Sequence, residues 1–213
     1  LAAATYAAKQ TNEPIEALRK ALAIKPDMME AQRGIIAMQL AAGKTDEALR
    51  EAKAVQKARS KEAIGYALEG DVLESQKKHA EAARAYAEGI KRQATPEMVA
   101  KQIQLLETAG QTAEARAVAA KWIKENPNDP TVRFQMATAA MIRKDYKEAA
   151  VGYRAILAKS PDHLPTLNNL AWVLGELKDP GAIGFAERAI KLEPSNPGVL
   201  ETYGWLMAET GDL

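Results

Sequence analysis

The sequence predicts an all-α protein, a right-handed superhelical solenoid of about six helical hairpins followed by a single helix. Its segment "TAGQTAEARAVA" around Gly110 repeats the plan of "AAGKTDEALREA" around Gly43. Two series of positions recur every 33 or 34 residues. A proline or small residue ends a helix at Ser60, Ala94, Pro127, Pro161 and Pro194, and an alanine follows an acidic or small residue near a helix start at Ala48, Ala82, Ala115, Ala149 and Ala182. This period is typical of stacked helical hairpins, in which each hairpin buries its apolar face against its neighbours.

Strong helix formers with apolar side chains at helical spacing, separated by short turns, place the elements in order. The predicted helix pairs are 1–10 with 13–25, 27–42 with 45–58, 61–76 with 79–92, 96–109 with 111–125, 130–143 with 145–159, and 164–176 with 180–192, and a single helix follows at 197–210. The first pair is short, and the chain stops at "ETGDL", where a turn to a partner helix is expected. We therefore predict one continuous array over 1–213, a fragment cut from a longer array at both ends.

Gly43, Lys44 and Thr45 have the order that ends a phosphate-binding loop. Such a loop needs another glycine five residues before the second one and a preceding strand. Met38 occupies that place, within a helical pattern. We therefore interpret Gly43 as the C-terminal cap of one helix and Thr45 as the start of the next.

Composition excludes several functional classes. A formal charge of +1 gives no overall field that would attract nucleic acid, and no apolar run reaches membrane-spanning length. Zero cysteines exclude a disulfide framework but suit cytoplasm and periplasm equally. His79 and His163 are isolated, so we predict no metal site, no cofactor and no enzymatic activity.

One family pattern runs along essentially the whole chain. The positions that carry it are Met136, Ala137, Ala140, Asp145, Tyr146, Ala149, Tyr153 and Pro161 in one hairpin, and Leu167, Leu170, Ala171, Leu174, Ala189 and Pro194 in the next. They resemble the tetratricopeptide repeat (TPR). Lys77 and Lys144 depart from the pattern by replacing the turn glycine, and Gly89 replaces a helix-B alanine. The resemblance implies a protein-interaction scaffold that binds a protein or peptide.

Residues 167–213 also resemble the C-terminal modules of bacterial envelope TPR proteins, especially the TPR lipoprotein of exosortase/PEP-CTERM exopolysaccharide systems. This resemblance implies a periplasmic or envelope-associated scaffold in a secretion or exopolysaccharide-export assembly, with any membrane tether outside this fragment. A cytoplasmic location stays open, as does the oligomeric state. The alternative function is an accessory region of a carbohydrate-active enzyme or glycosyltransferase whose catalytic domain lies outside these residues.

The first helix of each hairpin, helix A, is expected to line the concave side of the array. Helical spacing gives these inward positions: Glu30, Arg33, Ala37, Leu40, Ile64, Ala67, Asp71, Glu74, Glu97, Ala100, Gln104, Glu107, Thr131, Phe134, Thr138, Met141, Pro165, Asn168, Trp172, Glu176, Gly198, Glu201, Trp205 and Glu209. Their charged members are acidic apart from Arg33. We therefore predict an acidic groove that favours a basic or neutral peptide and repels polyanions.

The predicted partner-binding residues of this groove are Arg33, Asp71, Glu74, Glu107, Phe134, Asn168, Trp172, Glu176, Glu201 and Trp205. Trp172 and Trp205 occupy equivalent places in adjacent repeats. They would either anchor a ligand or fill space between neighbouring helices, and the sequence leaves both interpretations open. Asn168 could bond a peptide backbone through its amide, or could be solvated.

Overall fold

The computed structural model describes residues 2–25 and 28–210, with side chains at 13–25 and 28–209. Over these residues the fold is all-α and contains no strand. The helices are α1 Ala2–Ile24, α2 Met29–Ala41, α3 Thr45–Ala58, α4 Ile64–Ser75, α5 His79–Ile90, α6 Pro96–Thr108, α7 Thr112–Glu125, α8 Thr131–Ile142, α9 Tyr146–Leu157, α10 Leu164–Glu176, α11 Ala182–Leu192 and α12 Pro197–Thr210. The predicted fold class is therefore confirmed.

The predicted first helix pair, 1–10 with 13–25, is wrong. One helix runs through this segment and contains Pro14 in its interior. The later hairpins reverse direction at a residue with a left-handed backbone, whereas the backbone stays helical through Thr11 and Asn12. Without such a reversal the helix continues past the proline.

Five turns within the hairpins share one backbone conformation. Positive φ occurs at Gly43, Lys77, Gly110, Lys144 and Lys178, with values between 55° and 77°. Each turn closes with the same hydrogen bond, such as Lys44 N–H to the Gln39 carbonyl at 2.8 Å, which is the bond that caps helices ending in a left-handed residue. The interpretation of Gly43 as a helix cap is confirmed, and α3 begins at Thr45.

The helices pack as two compact units, Leu1–Thr112 and Ala113–Leu213, called unit 1 and unit 2 below. In unit 1, Ile36, Ala48, Ala52, Val55, Leu68 and Val72 form one buried cluster from α2, α3 and α4. In unit 2, a larger buried cluster joins α8, α9, α10, α11 and α12 around Tyr153, Leu167, Leu170 and Leu174. The expectation of one continuous array over 1–213 stays a prediction.

Small residues set the separation of neighbouring helices. A methyl group at Gly65 of α4 would lie 2.5 Å from the backbone nitrogen of Gln56 in α3, and one at Gly70 would lie 2.5 Å from the Tyr86 ring of α5. Both neighbours therefore pack directly on the α4 backbone. The contact at Gly70 holds Tyr86 of α5 beside α4, next to a cavity that α2 and α6 also line.

Candidate functional site

Unit 1 contains an open cavity of about 560 Å³ on the side that its A helices share. It is lined by Arg33, Ile36, Ala37 and Leu40 of α2, Ala67, Leu68 and Asp71 of α4, Tyr86 of α5, and Glu97, Met98 and Lys101 of α6. Ala37 and Ala67 leave space where longer side chains would fill it. The predicted groove residues Arg33 and Asp71 thus lie in one cavity, together with Tyr86 and Lys101, which the periodicity did not select.

Asp71 and Tyr86 are joined at the wall of this cavity. The Tyr86 hydroxyl donates to Asp71 Oδ1 at 2.5 Å. Asp71 as a residue is exposed, but its carboxyl group lies among cavity side chains, and this partial removal from water raises its pKa above the ordinary 3.8. The Tyr86 hydrogen bond and the positive charges of Lys101 and Arg33 oppose that rise, while the charge of Glu74 adds to it.

Burial also raises the pKa of the Tyr86 hydroxyl, and the neighbouring Asp71 carboxylate raises it further. Tyr86 therefore stays protonated and acts as a hydrogen-bond donor at this wall.

The residues that line this cavity carry both signs of charge, and the acidic bias predicted for the whole groove stays a prediction. Lys101 Nζ lies 2.7 Å from Glu74 Oε2, and both side chains are about 70% removed from solvent. The lining residues with charge are Arg33 and Lys101 against Asp71 and Glu97, so the two signs balance. Lys101 was missed because the predicted inward stripe passed through Ala100, while the real stripe follows Glu97 to Lys101 at one helical turn.

Arg33 and Glu97 are the two charged lining residues whose side chains are not engaged. Both are exposed. In the part of the chain that the structure describes, neither side chain makes a hydrogen bond or an ion pair, although the Arg33 charge lies near enough to affect Asp71. One cation and one anion thus remain available at the same cavity.

Glu107 lies elsewhere on α6. It is in the last turn of the helix, where its carboxylate accepts a hydrogen bond from Thr112 Oγ1 at 3.1 Å, and it does not line the cavity. Its predicted role in binding stays a prediction.

Unit 2 contains a row of aromatic side chains from α8, α9, α10 and α12. Tyr146 meets Trp172 edge to face with ring centroids 5.6 Å apart, and Trp172 meets Trp205 at 6.2 Å. Phe134 lies 5.7 Å from Tyr153. The structure therefore brings the predicted residues Phe134, Trp172 and Trp205 into contact with the core of unit 2.

The two tryptophans serve helix packing. A methyl group at Gly175 of α10 would lie 2.6 Å from the Trp205 ring, so this ring sits on the α10 backbone. Both indoles are partly buried against the core cluster. Their contact with Gly175 and Tyr146 favours the packing interpretation, and a role in ligand binding stays a prediction.

Polar residues flank the aromatic row. Tyr146 is hydrogen-bonded to Glu176, and loss of water contact raises the Tyr146 pKa, with the Glu176 charge adding to the rise. Asn169 donates to the Tyr153 hydroxyl at 3.2 Å, whereas the neighbouring Asn168 Oδ1 is buried and has no hydrogen-bond partner among the described residues. Glu201 is exposed on α12.

The described residues contain neither a cluster of metal-ligating side chains nor a helix that could cross a membrane. No group of three or more His, Cys, Asp or Glu side chains is placed to hold a metal ion. Over the same residues, every helix is too short or too polar to cross a membrane.

Two family models match the chain, both described as tetratricopeptide repeat: one over residues 39–98 and one over residues 96–139. A TPR repeat-containing protein of Pseudomonas aeruginosa is 28% identical over 93 residues, which is 43% of this chain and 16% of that protein. The chain therefore spans a small part of that relative's length.

Solved structures show the same fold at low identity. A tetratricopeptide repeat protein from Parabacteroides merdae has a TM-score of 0.64 at 14% identity, covering 100% of this chain and 88% of its own. PilF of Pseudomonas aeruginosa has a TM-score of 0.58 at 20% identity, covering 94% and 90%. YrrB, described as a TPR protein with an unusual peptide-binding site, has a TM-score of 0.55 at 17% identity, covering 89% and 99%. The family models thus match residues 39–139, and the described helices share the fold of solved tetratricopeptide repeat structures.

Proposed function

We propose that this protein is an interaction scaffold that binds a peptide segment or helix of a partner in the unit 1 cavity. The observation that carries the proposal is the cavity itself: its floor is small and apolar at Ala37 and Ala67, and Arg33 and Glu97 stand at it without side-chain partners. Peptide sites combine apolar pockets with a few placed polar groups in this way. YrrB, a protein with the same fold, has a peptide-binding site, which supports the choice of ligand class.

The test uses short random peptides displayed on phage and selected on the 213-residue chain. One enriched peptide is synthesised, and its affinity is measured by calorimetry for the wild type and two variants. Ala37→Arg fills the cavity from an exposed position of α2 and should weaken binding by about tenfold or more, since a long side chain would occupy the ligand's space.

Ala54→Arg is the matched control, because it makes the same substitution at an exposed position of α3 that does not line the cavity. It should keep the wild-type affinity. Failure to enrich any peptide, or an affinity that Ala37→Arg leaves unchanged, would overturn the proposal.

We propose further that the partner belongs to a bacterial envelope secretion or exopolysaccharide-export assembly. The support is the resemblance of residues 167–213 to modules of envelope TPR proteins. Proximity labelling with the full-length protein in its host is the test, and labelled partners confined to cytosolic proteins would overturn this context. The alternative of an enzyme-associated accessory region depends on sequence outside these residues and stays a prediction.

A further inference from the structure

We propose that the unit 1 cavity recognises a bipolar peptide segment: an acidic side chain that pairs with Arg33, an apolar side chain over Ala37 and Ala67, and a basic side chain that pairs with Glu97. This inference rests on the proposed function and specifies the chemistry of the ligand. It differs from the expectation of a basic or neutral peptide, which was drawn from the predicted groove as a whole.

The first step is the position of the free charges. Arg33 belongs to α2 and Glu97 to the first turn of α6, so two different A helices present opposite charges to one cavity. Both residues are exposed, so each side chain can turn toward a ligand. A single ligand that reaches both helices would therefore meet a cation at one side and an anion at the other.

The second step is that the remaining charges of this region already have partners. Asp71 accepts the hydrogen bond of Tyr86, and Lys101 is paired with Glu74. Breaking the Lys101–Glu74 pair would leave a half-buried charge without compensation, which is costly. A ligand should therefore leave these pairs intact and use Arg33 and Glu97.

The third step is complementarity. Because Arg33 and Glu97 have opposite charges, a ligand of a single sign gains at one helix and loses at the other. A ligand with both signs gains at both. Arg33 can hold a carboxylate through two parallel N–H donors, which gives this end of the ligand a defined geometry.

The fourth step is the apolar contact between the two charges. Leu40, Ala67 and Met98 line the cavity beside Ala37. The flexible thioether of Met98 can adapt to aliphatic side chains of different shape. We therefore expect one aliphatic residue between the acidic and basic residues of the ligand, with its exact size less restricted than its polarity.

The experiment repeats the phage selection on the wild type, on Arg33→Glu and on Glu97→Lys. Peptides enriched by the wild type should carry an acidic and a basic residue on either side of an apolar one. The synthesised wild-type peptide should bind Arg33→Glu about tenfold more weakly, and exchanging its acidic residue for lysine should restore the affinity for that variant. Exchange of its basic residue for glutamate should likewise restore binding to Glu97→Lys.

Arg50→Glu on α3 and Glu81→Lys in the first turn of α5 are the matched controls, because both positions are exposed and lie outside the cavity. They should bind the wild-type peptide as the unmodified protein does. Arg33→Met provides a second variant that removes the charge while retaining a long side chain, and it too should weaken binding. Helix content by circular dichroism verifies the fold of every variant.

The outcomes separate the two proposals. If Ala37→Arg weakens the affinity of the peptide but Arg33→Glu and Glu97→Lys do not, the bipolar ligand is overturned. The proposal that the cavity binds a peptide then still holds. Peptides that carry only one sign of charge would overturn the bipolar ligand as well. A peptide whose affinity is unchanged by Ala37→Arg would overturn the proposal that the cavity is the binding site, and this inference with it.

Discussion

The carboxyl group of Asp71 shows how one residue couples the cavity to pH. Its pKa is raised because the group is partly removed from water, and the Tyr86 hydrogen bond and nearby cations reduce this rise without cancelling it. The unfolded chain binds the proton less tightly than the folded chain does. Ionising Asp71 therefore costs folding free energy, and this cost is absent below the unfolded pKa and complete above the folded pKa.

We predict that Asp71→Asn becomes more stable relative to the wild type as pH rises from acidic to neutral values. The amide keeps an oxygen that can accept from Tyr86 but carries no charge to desolvate. Urea unfolding at a series of pH values, followed by circular dichroism, measures the difference. A difference that is constant with pH, or that changes in the opposite direction, would contradict the raised pKa.

The contact of α3 with α4 depends on the absence of a side chain at Gly65. Its carbonyl accepts a hydrogen bond from Gln56 Nε2 at 3.2 Å, and an added methyl group would meet the Gln56 backbone. Backbone atoms of a packed helix cannot move aside as the end of a flexible side chain can. A larger residue would therefore separate the two helices.

We predict that Gly65→Ala destabilises the protein by about 2 kcal/mol, because overpacking outweighs the better helix propensity of alanine. Gly184→Ala is the control, since Gly184 lies inside α11 and a methyl group there meets nothing within 4 Å. That control should stabilise by roughly 0.5–1 kcal/mol through propensity alone. Urea midpoints measure both effects, and a Gly65→Ala midpoint at or above that of the wild type would refute the close contact.

At the scale of the whole molecule, stability is shared between helices that contribute to one core. Ala149 of α9 is fully buried in the unit 2 cluster, and its backbone N–H donates to the Asp145 carbonyl at 3.0 Å. The same cluster includes side chains of α8, α10 and α11. Damage to α9 should therefore reach all of these helices.

We predict that Ala149→Pro costs about 3 kcal/mol or more, because proline removes this N–H and clashes with the preceding turn. Hydrogen exchange should show that α8, α10 and α11 lose protection together with α9. Lys147→Pro is the control, because Lys147 is exposed and is the second residue of α9, a place that Pro165 occupies in α10. Loss of protection limited to α9 would show that the core is not shared in this way.

Local features made the repeat pattern readable from the sequence. A turn within a hairpin needs only a few adjacent residues, so Gly43 and Gly110 indicated the positions where the backbone becomes left-handed. Lys77 and Lys144 looked like departures, yet they adopt the same conformation, because the bonds of the flanking helices hold the turn closed. The period, the helices α2 to α12 and the shared side that carries Arg33 and Asp71 were therefore predictable.

What only the tertiary structure decided depends on distances between helices. Two pairs in the cavity region join residues that are distant in the chain. Lys101 pairs with Glu74 across 27 residues, and Tyr86 pairs with Asp71 across 15 residues. The position of Trp205 on Gly175 likewise depends on how closely α10 and α12 approach. Helical periodicity assigns a residue to a face of its own helix, but it carries no information about which neighbour that face meets. The sequence by itself therefore determined the repeat and its turns, and packing alone decided which charges of the cavity have partners.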